Sequence, residues 1–162
     1  MKKKVLVTGG VGFIGSNLIK ELKNKDFEVV SLDNYSTGDK KNEISGVTYI
    51  NDDIINIFKL DNDFDICFHL AAQSRVQPSF EDPEESLRVN VIGTSKVMDW
   101  AHKNKIKVVY AGSSSKHHDP SDSPYAMYKF LGEEVCKLYK KSFKVNVEIS
   151  RFYNVYGPGE NI

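Results

Sequence analysis

"KVLVTGGVGFIGSNLI", residues 4–19, changes its period halfway along. The first five residues are a short, mostly apolar run of the kind found in strands buried on both faces. From Phe13 onward the apolar residues Ile14, Leu18, Ile19 and Leu22 recur at helical spacing, which predicts a helix over 13–25. Between the two stand Gly9, Gly12 and Gly15. Gly9 allows the tight turn out of the strand. Gly12 lets backbone amides approach a pyrophosphate, and Gly15 lets the helix pack close to the strand. The helix N-terminus then offers unpaired N–H groups and a partial positive charge to the diphosphate. Strand, glycine loop and helix in this order predict a dinucleotide site; the alternative is a glycine-rich corner with no ligand.

The same alternation continues downstream. Runs at 27–33, 47–51, 64–72, 106–112 and 145–152 read as five further strands. Between them lie a weak helix at 54–59, a long helix at 83–104 opened by Pro83 and two glutamates, and a helix at 123–142. The last has Ser123 as N-cap and Pro124 in its first position. The turn-rich stretch "DNYSTGDKKNEISG", 33–46, reads as a loop or a distorted short helix. Strands alternating with helices imply an α/β fold, a doubly wound parallel sheet of the Rossmann type. Its expected strand order is 3-2-1-4-5-6, with helices on both faces. A length of 162 residues fits one domain, 1–162.

Composition narrows the function. Lys plus Arg is 22 and Asp plus Glu is 22, so net charge gives no reason to expect nucleic acid or an acidic membrane as partner. Lys2, Lys3 and Lys4 read as a solvated tip. No run approaches the roughly 20 apolar residues of a membrane span, and "VLV" is too short for a signal peptide. Cys67 and Cys136 have no metal-type or CxxC neighbours; Cys67 sits in the apolar run "FDICFHLAA". Buried, reduced thiols suit a cytoplasmic protein.

Three groups of residues carry candidate chemistry. Asp33 ends the second strand, 18 residues after Gly15, where an acid accepts from the adenosine ribose hydroxyls. It would repel a 2′-phosphate, and no arginine lies near it in sequence, so NAD is expected rather than NADP. An Asx turn with Asn34 is compatible with this. In "NDDII", Asp53 either accepts from the adenine amino group, with the Ile54 backbone against the ring, or caps the next helix. Finally, Ser113 ends the fifth strand, and Tyr125 and Lys129 are four residues apart, on one face of a helix. A phenol is a poor base at neutral pH; an ammonium held beside it favours the phenolate and makes it a general acid–base. The bland alternative is a tyrosine and a lysine on an ordinary amphipathic helix. His117 and His118 read as loop histidines at the site mouth, and His69 as a satisfied core histidine. No metal site is expected.

"TGGVGFIG", "DNYSTG", "DDI", "HLAAQS", "NVIGT", "SS", "YAMYK" and "RFYNVYGPGE" occur in this order over nearly the whole chain. Together they resemble the extended short-chain dehydrogenase/reductases, the NAD-dependent nucleotide-sugar epimerases and dehydratases; "DNYSTG" is most similar to the UDP-glucose 4-epimerase branch. The resemblance implies that Phe13 and Ile14 join the glycines at the pyrophosphate, and that Asp33, Asn34 and Thr37 surround the ribose. It places Asp53 with Ile54 at the adenine and lines the cofactor with Leu70, Ala71 and Ala72. Asn90 would support the site, Lys129 would bond the nicotinamide ribose, and Asn154 would touch the sugar nucleotide. It further implies a UDP-hexose substrate and a homodimer through the helices around 84–103 and 124–142.

Two departures from the family pattern stand out. "SKHHDPSDS" is short and lacks the usual "VYG"-like turn, so Ser113 takes the hydroxyl position with Ser114 as its alternative. Family chains also continue into a substrate-binding lobe of similar size, which is absent from 1–162. The expected reaction is epimerisation by transient hydride transfer. A dehydratase would need acids beside the serines, and "SSSK" has none. The other alternative is a non-catalytic NAD-binding module or one subunit of a split protein.

Overall fold

A computed structural model describes residues 2–61 and 63–160. Among them six strands form one sheet: β1 (Lys4–Thr8), β2 (Glu28–Asp33), β3 (Thr48–Asn51), β4 (Ile66–His69), β5 (Lys107–Ser113) and β6 (Val147–Phe152). All pairings are parallel, and the order is β3-β2-β1-β4-β5-β6, as expected. The helices are α1 (Phe13–Asn24), α2 (Val76–Glu81), α3 (Pro83–Leu87), α4 (Thr94–Asn104) and α5 (Pro124–Ser142). None is long and apolar enough to cross a membrane.

The pleat of β1 divides the core. Val5 and Val7 pack with Ile19 and Leu22 of α1 on one face, while Leu6 joins Val97, Met98 and Trp100 of α4 and Cys136 of α5 on the other. Every one of these side chains is buried. Because both faces are covered, the central strands read as unbroken apolar runs.

Two local readings change, and that of 33–46 holds. β4 ends at His69 instead of running to 72, and a short helix, α2, with no counterpart among the predicted elements, follows it. The expected helix over 83–104 is a continuous rod whose middle, Arg88–Gly93, widens into a π turn between α3 and α4. The extra residue in a π turn shifts the register of the groups around it, and such turns cluster at functional sites. Here the widened turn leans on α5 at Gly132, where a Cβ would stand 2.8 Å from the Asn90 carbonyl oxygen and 2.5 Å from Tyr110 Oη. The segment 33–46 contains one tight turn at Lys40–Asn42, capped by Asp39.

Candidate functional site

Sheet order reverses between β1 and β4, and at such a switch point the loops leaving the strand ends diverge and leave a crevice. A cleft of about 1280 Å³ opens there. The glycine loop forms its floor. Gly9 has φ +73°, and a Cβ on Gly15 would stand 2.1 Å from the Gly9 carbonyl oxygen, so loop and helix touch backbone to backbone. Gly12 is the N-cap of α1 and supplies no side-chain cap, which leaves the first N–H groups of the helix facing the cleft with Phe13, Ile14 and Gly15.

At one end the wall is built from Asp33, Asn34 and Thr37. Asp33 holds the glycine loop as well: its carboxylate accepts from Val11 N–H (3.0 Å) and Tyr35 N–H (2.9 Å). Asn42 donates to the Val11 carbonyl (2.8 Å), so the turn-rich segment is bolted onto the loop from two sides. Ile54 reaches the cleft, but Asp53 does not. Its carboxylate receives both terminal nitrogens of Arg88 (3.0 and 2.8 Å), caps the turn after it through Ile55 N–H (3.0 Å) and accepts from Asn34 (3.2 Å). The Arg88 guanidinium is the main reason the Asp53 carboxyl lies low, at about 2. Arg88 comes from the π turn and is itself held by Glu85. The neighbouring Asp52 lines the cleft instead.

Leu70, Ala71 and Ala72 line the middle of the cleft. Asn90 is buried and stands behind them, outside the cleft wall. It clamps the Gln73 peptide from both sides, accepting from its N–H (3.0 Å) and donating to its carbonyl (3.1 Å). A second buried chain backs the same loop. Thr94 donates to the Asn90 carbonyl (2.8 Å), so His69 must donate to Thr94 through Nε2 (3.1 Å) and accept from Thr8 through Nδ1 (2.9 Å). Thr8 in turn accepts from Ala71 N–H (3.1 Å). Burial, helped by the Lys129 charge, pushes His69 down to about 3, so it stays a neutral structural linker.

At the far end Ser113, Ser114, Tyr125, Lys129 and Asn154 meet on one wall. Tyr125 lies in the first turn of α5, where Ser123 caps the helix and buried Ser79 of α2 accepts from Tyr125 N–H (3.0 Å). The Tyr125 hydroxyl lies 3.4 Å from Ser113 Oγ, long for an O–H···O bond but within reach of a small ring rotation. Lys129 is buried. Its ammonium donates to the Ala111 carbonyl (2.6 Å) and sits 4.6 Å above the Tyr110 ring. The ammonium and the phenol both line the cleft, with the ammonium anchored to β5. One turn on, buried Glu133 receives Arg151 of β6 (2.7 and 2.9 Å) and fixes the depth of α5 against the sheet. His118 lines the cleft, and His117 stacks on Tyr153 at its mouth.

Burial pushes Lys129 down to about 8 from 10.5. Between those two values the unfolded chain holds a proton that the folded chain has released, so this group makes stability rise with pH. Below pH 8 the fold carries the full cost of burying the charge. Lys129→Met should therefore flatten the pH dependence of stability by roughly 3 kcal/mol between these limits. Urea unfolding of both proteins at pH 7.5 and pH 10 measures it.

The family model described as "NAD dependent epimerase/dehydratase family" matches residues 5–162. A putative UDP-glucose 4-epimerase of Methanocaldococcus jannaschii is 36% identical over 179 residues, covering 97% of this chain and 57% of that protein. A UDP-N-acetyl-alpha-D-glucosaminuronate decarboxylase of Bacillus cytotoxicus is 34% identical, covering 98% and 56%. The Bordetella bronchiseptica enzyme WbmF, solved with NAD+ and UDP, superposes with a TM-score of 0.90 at 32% identity, covering 98% of this chain and 51% of that one. The chain spans about half the length of the relatives it matches. With its glycine loop, strand order and matched span in agreement, the chain belongs to the NAD-dependent epimerase/dehydratase family.

Proposed function

We propose that residues 1–162 are the cofactor-binding part of an NAD-dependent nucleotide-sugar epimerase acting on a UDP-hexose. The observation that carries this reading is the meeting of Ser113, Tyr125 and Lys129 on the wall of the same cleft whose floor is the uncapped start of α1. The cleft fits a dinucleotide: its floor has the bare N–H groups a diphosphate needs, and a carboxylate stands at the ribose end. Gly12, Phe13, Ile14 and Gly15 would hold the diphosphate, Asp33 the ribose hydroxyls, and Lys129 the second ribose. NAD, when bound, accepts a hydride from the sugar carbon and returns it.

The chain's own residues do the rest. Tyr125 takes the proton of the sugar hydroxyl, Ser113 holds that oxygen, and Asn154 with the exposed Tyr153 and Tyr156 faces the sugar nucleotide. Decarboxylases are among the relatives. Ser113, Ser114 and Ser115 put no carboxyl beside the phenol, which favours epimerisation over reactions needing a second acid. The cytoplasm suits the two buried free thiols. A homodimer through the helices around 84–103 and 124–142 would cover Ile92 and Leu138, which are exposed on them.

Conversion of UDP-glucose to UDP-galactose by the NAD-loaded protein tests the proposal. Interconversion is the expected result. Tight NAD binding without turnover of any sugar nucleotide would leave a non-catalytic module.

A further inference from the structure

We propose that Ser115 is a positioning residue, the end of a three-hydroxyl chain Ser115–Ser113–Tyr125 whose bond directions reverse when Tyr125 gains or loses its proton. The proposal rests on Tyr125 being the acid–base of the site. Ser113 Oγ has one proton and two lone pairs. The Ser115 N–H occupies one lone pair at 3.1 Å, a backbone donor that cannot turn away. One lone pair and one proton remain for two hydroxyl neighbours, Ser115 Oγ at 2.9 Å and Tyr125 Oη at 3.4 Å.

This count leaves two arrangements. With Tyr125 protonated, the phenol donates to Ser113 and the Ser113 proton points to Ser115. With Tyr125 deprotonated, Ser115 donates to Ser113 and the Ser113 proton points to the phenolate. Each serine keeps its own proton in both states, and only the hydroxyl torsions change. Before substrate enters, no proton and no lone pair of Ser113 is left over in either, so a sugar oxygen is held in the place that the phenol takes here. Removing the Ser115 hydroxyl strands the Ser113 proton in the first state and takes the supporting donor from the second. Ser115 therefore couples to Tyr125 only through Ser113.

The test labels tyrosine at the ring carbon bearing oxygen and follows the Tyr125 resonance by NMR in the 162-residue chain, assigned by its loss in Tyr125→Phe. Ser115→Ala should move this resonance in the same sense as Ser113→Ala, and Ser115→Thr should return it to the wild-type position. In the NAD-loaded protein, Ser115→Ala should also lower kcat about fivefold at unchanged KM, with threonine restoring it. A resonance that moves in Ser113→Ala but not in Ser115→Ala means that solvent replaces the Ser115 hydroxyl, and the proposal fails while the epimerase reading stands. A resonance that moves in neither means that Ser113 and Tyr125 are not coupled, and the proposal fails with it. Absence of turnover in the wild type would strike the epimerase reading alone, since the resonance needs no substrate.

Discussion

Tyr125→Phe is expected to lower turnover of a UDP-hexose by roughly 10²- to 10⁴-fold, the range that a positioned proton-transfer group supplies. The ring itself has few structural duties that phenylalanine could not meet. The start of α5 is fixed by the Ser123 cap, by Pro124 in the first helical position and by the bond from Tyr125 N–H to Ser79, and none of these uses the phenol oxygen. The glycine loop and Asp33 lie at other strand ends, so NAD affinity should stay close to wild type. A coupled assay for the product sugar nucleotide, run beside NADH fluorescence titration, separates the two effects. Turnover within about threefold of wild type would remove Tyr125 from the chemistry, because a general acid–base cannot be lost so cheaply.

What the sequence disclosed about this site follows the distance over which each signal acts. The glycine loop was legible because its three roles belong to one turn, and the strand order followed from alternation and handedness. Ser113, Tyr125 and Lys129 were legible as residue types on one strand tip and one helix face. Where the lysine ammonium points was not, because the Ala111 carbonyl that takes it belongs to β5. The residues left Asp53 open between the adenine and a helix cap; the cap is there, through Ile55 N–H, but Arg88, 35 residues away in sequence, gives no sign that it will return to the same carboxylate. Helix α2 was hidden by Pro78 and by its length of 6 residues, too short for periodicity to register. The π turn has no pattern of its own; its visible trace is Gly132 on α5, needed to clear the Asn90 carbonyl.

Gly15→Ala and Gly12→Ala should separate what the glycine loop does for the fold from what it does for the ligand. A Cβ on Gly15 would meet the Gly9 carbonyl oxygen at 2.1 Å and Gly10 Cα at 2.8 Å. These are backbone atoms, so no rotamer change relieves the clash, and α1 must back away from β1. Overpacking of this kind costs about 1–3 kcal/mol, which for a chain of this size lowers Tm by roughly 3–10 °C. The same retreat pulls the helix N-terminus from the diphosphate, so NAD affinity should fall at least about tenfold. At Gly12 a Cβ would find only the Gly9 carbonyl oxygen, at 3.4 Å, an ordinary contact. Gly12→Ala should therefore melt within about 2 °C of wild type while still losing NAD, because its methyl would stand where the diphosphate approaches the backbone. Thermal melts with and without NAD read both quantities. If Gly12→Ala melted normally and bound NAD as tightly as wild type, the loop would be a packing device, and the cofactor would have to be held elsewhere in the cleft.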